Sequence, residues 1–153
     1  MAALDEMIAS HRFLKGMDPH FLHCFRECAT FERYGVDSIV FREGQEAEHF
    51  YLIHCGRIAL ETFAPGVGNL TIQTLETGDA LGWSWLFPPY TWHFSARAVE
   101  PAELIAFSAA FLRERAEENP AFGRDLVMRV SKILLQRLQA TRLQLLDFYA
   151  PRG

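Results

Sequence analysis

The residues with most chemistry to offer lie in stretch 82–98, which reads Gly-Trp-Ser-Trp-Leu-Phe-Pro-Pro-Tyr-Thr-Trp-His-Phe-Ser-Ala-Arg-Ala. Six rings crowd it: Trp83, Trp85, Phe87, Tyr90, Trp92 and Phe94. Rings of this size bury about 150–250 Å² each, so they either fill a core or stack on a flat ligand, with Ser84 and His93 as polar contacts. Both readings stay open at this level. Neither Ser84 nor Ser95 has the glycine-flanked setting of an activated nucleophile, and the histidines are scattered. No catalytic residue is assigned, and an enzyme is not expected.

A second cluster, His20, His23, Cys24 and Cys28, lies on one short segment. Its spacing is not the paired Cys-x-x-Cys of a zinc site, and buried free cysteine commonly behaves as a small hydrophobe. No metal ligand is assigned. The ligand pattern of a haem or iron–sulfur sensor is not compelling either. The third cysteine, Cys55, makes the count odd, which suits a reducing compartment rather than a disulfide framework.

These residues need elements to hold them. Asp18-Pro19 has the form of an N-cap followed by proline at the first helical position, and it predicts a helix over about 19–29. Short β-rich runs then follow at 38–41, 49–53, 57–63, 70–75, 93–99 and 103–107. They are separated by turn signals at Gly35, Gly44, Gly56, Pro65–Gly68 and Gly78-Asp79. That texture predicts a mainly β fold with flanking helices, an antiparallel β-roll of jelly-roll type. Ser108 caps a helix over about 109–117, and Asn119-Pro120 opens one that runs to about 150. At about 1.5 Å per residue the last helix is roughly 45 Å long, more than a small domain needs to close its core. Val127, Val130, Leu134, Leu138, Leu145 and Phe148 fall near a three-four spacing, with Thr141 in the step between Leu138 and Leu145. Ile133, Leu135, Leu143 and Leu146 widen the apolar surface, which favours a partner helix over simple packing on the roll.

With 153 residues, half of them hydrophobic, the chain suffices for one domain: helix and roll over about 12–107, helices over about 108–150. A formal net charge of −4 disfavours nucleic acid and anionic membrane partners. No signal peptide or membrane-length apolar run is present, and the expected location is the cytoplasm.

Phe41-Arg42-Glu43-Gly44, then Phe50-Tyr51-Leu52-Ile53 with Gly56, then Leu75-Glu76-Thr77-Gly78-Asp79-Ala80-Leu81-Gly82 resemble the cyclic-nucleotide-binding domain in the order and spacing of their glycines. The resemblance spans about 12–149 and is most similar to the bacterial regulators of the catabolite-activator (Crp/Fnr) superfamily. There the roll is followed by a long dimerisation helix, which Arg137-Leu138-Gln139-Ala140-Thr141 resembles. The resemblance implies a homodimer through that helix. In the superfamily a DNA-reading domain comes next, whereas only Pro151-Arg152-Gly153 follow here, so direct DNA binding is not expected.

The resemblance also implies a binding cassette that starts at Gly82. It places Trp83 where the family has the glutamate for the ribose hydroxyl and Trp92 where it has the phosphate arginine. A hydrogen bond to a charged group contributes about 1.5–3 kcal/mol, so losing two weakens binding on the order of 100- to 10,000-fold. Replacement anchors are backbone N–H groups at a helix start near Ser84, the imidazole of His93, and Arg97 unless strand alternation turns it away. The implied ligand-binding set is Gly82, Trp83, Ser84, Trp85, Trp92, His93, Phe94, Arg137 and Thr141, the threonine matching one that reaches the adenine base. No cofactor is assigned, and the candidate ligand is a cyclic nucleotide or a related nucleotide. The expected function is a sensory domain that binds such a ligand in an atypical aromatic pocket and signals through the dimer helix to an effector protein. The alternative is a degenerate, ligand-free dimerisation or protein-interaction module.

Overall fold

The computed structural model describes residues 2–150. Four α-helices, α1 (Ala2–Ser10), α2 (Pro19–Glu27), α3 (Ala109–Glu118) and α4 (Pro120–Tyr149), flank eight strands. The strands are β1 (Ala29–Tyr34), β2 (Ile39–Phe41), β3 (His49–Cys55), β4 (Arg57–Ala64), β5 (Gly68–Glu76), β6 (Ala80–Leu81), β7 (Ser95–Ala98) and β8 (Ala102–Ser108). They form two antiparallel four-stranded sheets, ordered β1-β8-β3-β6 and β2-β7-β4-β5. The inward residues of both sheets, among them Phe50, Leu52, Ile58, Leu60, Ala96, Ala98, Leu104 and Phe107, share one core. The expected roll is present.

The caps work as read. Asp18 accepts from the His20 N–H, Ser108 Oγ from the Phe111 N–H, and Asn119 Oδ1 from the N–H groups of Ala121 and Phe122. Each satisfies donors that a helix start leaves orphaned. Helix α2 ends at Glu27, before the expected 29, because Ala29 already pairs with Phe107 as the first residue of β1. β1, β6 and α1 were not anticipated, and the run expected as a strand over 93–99 is regular only at Ser95–Ala98. At the β3–β4 turn Gly56 has φ +100°, and a Cβ there would sit 2.6 Å from both Ala102 Cα and Pro101 O. Only glycine meets both demands.

Helix α4 changes character along its length. Its first third is anchored in the core: Phe122, Leu126 and Val130 are fully buried, and the Phe122 ring packs on Phe21 and Phe25 at 5.3 and 5.9 Å. Val130 is therefore core and not part of a partner-facing stripe. The middle of the helix lies over β5, where Arg137 Nη1 donates to Gln73 Oε1 at 2.9 Å and Gln144 Nε2 to the Ile72 carbonyl at 3.2 Å. Residues 141–150 are all exposed. No described helix is long and apolar enough to cross a membrane.

Candidate functional site

The roll opens toward α4 through a cleft lined by Leu60, Gln73, Leu75, Gly82, Trp83 and, from the helix, Ile133, Gln136 and Arg137. The tight turn at Gly78-Asp79 aims β6 across the sheet, since the Ile53 N–H donates to the Asp79 carbonyl and the Gly78 N–H to that of Ile53. Gly82 then leaves β6 at φ +72°. A Cβ at Gly82 would lie 2.7 Å from Cζ3 of Trp92, so the indole rests directly on this glycine.

Trp92 is 3% exposed and stacks on Phe41 with centroids 3.7 Å apart and planes 8° from parallel. Phe94 lies two residues on, also buried, and meets Trp83 edge to face at 5.4 Å. The rings at the two positions where the resemblance leads one to expect the glutamate and the arginine thus pack against Phe94 and Phe41. What remains open is about 70 Å³. Ligand sites of drug or nucleotide size run roughly 300–1,000 Å³.

The polar replacements are placed as follows. His93 alternates outward between the buried Trp92 and Phe94, and its Nδ1 is 2.9 Å from Oγ of the buried Ser84. The segment expected to start a helix at Ser84 is a turn, closed by the Leu86 N–H on the Trp83 carbonyl at 3.0 Å. Arg97 faces away from the cavity, between inward Ala96 and Ala98, as strand alternation requires. It gives Nε and Nη2 to Glu61 and Nη1 to Asp37, at 3.1, 2.9 and 2.8 Å. These bonds hold the Glu61 carboxyl below its usual pKa and raise that of Arg97.

Trp85 does not join the cleft. It is fully buried on the other side of the loop, stacked on Phe50 at 4.7 Å, while its carbonyl accepts from Arg113 Nη1 at 2.6 Å. Thr141 is exposed and lies one helical turn beyond Arg137, outside the lining. Arg137 is the cation that faces the cavity. Burial pulls its pKa below the ordinary arginine value, its hydrogen bond is to a neutral amide, and among the described residues no carboxylate pairs with it. The Gln73 partner and the contacts from Gln136 and Ile133 were not anticipated. Gln73 sits in an alternating strand whose inward face was readable, but which side of α4 covers it depends on the tertiary crossing.

Among the described residues no group of His, Cys, Asp and Glu is arranged to hold a metal. Cys24 is half-buried and its Sγ approaches the His20 carbonyl, while burial raises the Cys28 thiol to about 11. Both thiols are poor nucleophiles in that setting.

The comparisons with known proteins agree with this fold. The chain is 27% identical to a Geobacter metallireducens protein of the same domain type, with a TM-score of 0.76, covering 90% of this chain and 96% of that one. A cyclic nucleotide-binding domain from Methylobacillus flagellatus superposes with a TM-score of 0.83 at 16% identity, over 98% of this chain and 86% of its own. A CRP-like cAMP-activated global transcriptional regulator of Mycobacterium tuberculosis is 21% identical over 144 residues, 94% of this chain but 62% of the regulator. Lysophospholipase nte1 of Aspergillus fumigatus is 24% identical over 101 residues, 66% of this chain and 6% of the enzyme. The chain thus spans less than two thirds of either curated relative. The family model described as the cyclic nucleotide-binding domain matches residues 31–119, from the first strand of the roll to the cap of α4, and the chain belongs to that family.

Proposed function

We propose that this chain is a regulatory, non-enzymatic domain that acts through α4 and whose roll does not take cyclic nucleotides in the family's manner. The observation that carries this reading is the Trp92 indole, stacked at 3.7 Å on Phe41 and seated on Gly82. It fills the place where the family resemblance puts a phosphate and its arginine. An indole offers one neutral N–H donor and no positive charge, so it cannot neutralise a phosphate. Opening the cavity to nucleotide size requires both Trp92 and Trp83 to leave packed positions. Of the two expectations, packing favours the interaction module, with dimerisation through α4 as its working surface and a separate effector protein as its target.

A specific observation supports a second reading. Arg137 faces the remaining cavity with no ion pair of its own among the described residues, the one carboxylate of the lining, Asp79, being paired with Arg12, and a partly desolvated guanidinium is a natural anchor for a small flat anion. In that reading the aromatic walls take a nucleotide-like or smaller planar molecule in an atypical mode. Calorimetric titration with cyclic AMP and cyclic GMP tests the main proposal. No saturable heat is expected at concentrations of about 10–100 µM, and a sub-micromolar dissociation constant for either nucleotide overturns it.

A further inference from the structure

A larger cleft lies outside the roll, behind the ridge that Ile133 and Gln136 of α4 make with Asp79 and Ala80. Its volume is about 530 Å³, within the size range of nucleotide sites, roughly 300–1,000 Å³. Three separate parts of the chain wall it. The 3-10 turn at Arg12–Leu14 and the residue after it give Arg12, Phe13 and Lys15; the β5–β6 turn gives Gly78 and Asp79; α4 gives Arg129, Lys132, Ile133 and Gln136.

Its charge runs against that of the molecule. Four basic side chains and one carboxylate line the cleft, in a chain whose net charge is −4. Arg12 is paired with Asp79, and it lies over Gly78, where an added Cβ would be 3.1 Å from its Cζ. Arg129 is 16% exposed and held rigid: Nε bonds Asp125 at 2.9 Å, and Nη1 donates to the carbonyls of Phe13 and Lys15 at 2.7 and 3.0 Å. Its Nη2 has no partner among the described residues, and neither ammonium group, of Lys15 or Lys132, has a carboxylate within salt-bridge distance there. One fixed guanidinium edge and two mobile ammonium groups therefore converge on a space floored by Phe13 and Ile133.

We infer that this cleft is a binding site for a small phosphorylated molecule carrying two or more negative charges. The site adjoins the roll cavity, with Asp79, Ala80, Ile133 and Gln136 between the two, and its four cations are not part of that cavity's lining, so the inference does not depend on whether the roll binds anything. The separate cations match the several oxygens of a pyrophosphate better than a single carboxylate, and the apolar floor leaves room for an attached organic group. Occupancy would tie Lys15, on the N-terminal segment, to Lys132 on α4. Because Ile133 and Gln136 line both cavities, it would also set how closely α4 lies against the mouth of the roll.

Titration of the whole chain with inorganic pyrophosphate, with ADP as an organic counterpart and sulfate at matched ionic strength, tests this. Pyrophosphate should bind with a dissociation constant of about 0.1 mM, the scale of two or three charge-assisted contacts on a partly solvated surface. ADP should bind at least as tightly. Lys15→Gln combined with Lys132→Gln should weaken pyrophosphate about tenfold or more; both side chains are exposed, so the fold should survive, with an unchanged circular dichroism spectrum as the control. Arg137→Gln should leave pyrophosphate binding within about twofold, because Arg137 lines the roll cavity and not this cleft; a loss of about tenfold in that variant would place the pyrophosphate in the roll cavity and overturn the proposal. The proposal is overturned if pyrophosphate gives no saturable binding up to about 5 mM, if sulfate binds equally well, or if the double lysine variant binds like the wild type.

Discussion

At the scale of single residues the decisive contact is Gly82 against Trp92. Replacing Gly82 with alanine meets two penalties, a left-handed backbone at φ +72° and a Cβ 2.7 Å from the indole. Together they should cost about 1–3 kcal/mol and displace the ring. Trp92→Ala removes the ring and should cost about 3–5 kcal/mol by opening a cavity against Phe41. Because the steric part of the first loss vanishes once the ring is gone, the double variant should be less destabilised than the sum of the singles, a coupling that chemical denaturation measures directly. Additive losses would mean that the indole does not bear on Gly82. The same contact governs the attempt to rebuild the family's anchors: Trp92→Arg with Trp83→Glu should gain measurable cyclic AMP affinity by calorimetry, provided the protein still unfolds cooperatively. The family resemblance is what directs attention to Trp83 and Trp92, because it aligns them with the two anchor positions. The separation of Trp85 from Trp83 was not legible in the sequence. Residues 83–90 follow neither a helical nor a strand period, so no rule projects their side chains onto a face.

At the scale of elements, the N-terminal segment is held to the roll by His11. Its Nε2 lies 3.0 Å from the Ile53 carbonyl, and its Nδ1 accepts from the Phe13 N–H at 3.1 Å. That arrangement calls for the neutral ring with its proton on Nε2, and burial pushes the pKa below the ordinary 6.5. The unfolded chain, with an ordinary histidine, then binds the proton more readily than the folded one, so this contribution to stability is present above about pH 6.5 and is lost as the pH falls toward the lowered folded value. Thermal unfolding should show the melting temperature falling as the pH drops below about 6.5, and His11→Gln should flatten that slope. A wild-type slope unchanged in His11→Gln would assign the effect to other groups. The element limits explain why this tether was not foreseen. Helix α1 carries no cap signal and exists because Ile8 is fully buried and Leu4 and Met7 pack on the core, which is a tertiary cause. β1 and β6 escaped notice for related reasons: Glu32 and Arg33 break the apolar alternation of one, and the other is only two residues long. The caps at Asp18, Ser108 and Asn119, by contrast, are local hydrogen-bond devices, and sequence alone locates them.

For the whole molecule, charge and the outer face of α4 decide what it meets. With a net charge of −4, this chain should not retard duplex DNA specifically, and a salt-sensitive, sequence-specific shift by the purified protein would contradict that. The face of α4 argues instead for a second copy. At about 100° per residue, Phe122, Leu126, Val130, Ile133 and Arg137 point at the roll, while Val127, Leu135, Leu138, Leu145, Leu146 and Tyr149 form a stripe about 150° away. Leu138, Leu145 and Leu146 are 66, 56 and 54% exposed in the single chain. Burying a leucine contributes about 1.5–3 kcal/mol, so a stripe of this length supplies enough to offset the cost of association when two copies bring the same faces together. Thr141 is exposed at an angle between the two faces. Sedimentation should therefore find a dimer at about 10–50 µM, and Leu138→Glu with Leu145→Glu should produce a monomer. Both side chains point away from the roll, so the monomer should keep its fold and lose only the stabilisation that association adds by mass action. A wild-type chain that stays monomeric in that range would remove α4 as the working surface and leave the clefts beside it as the remaining basis for function.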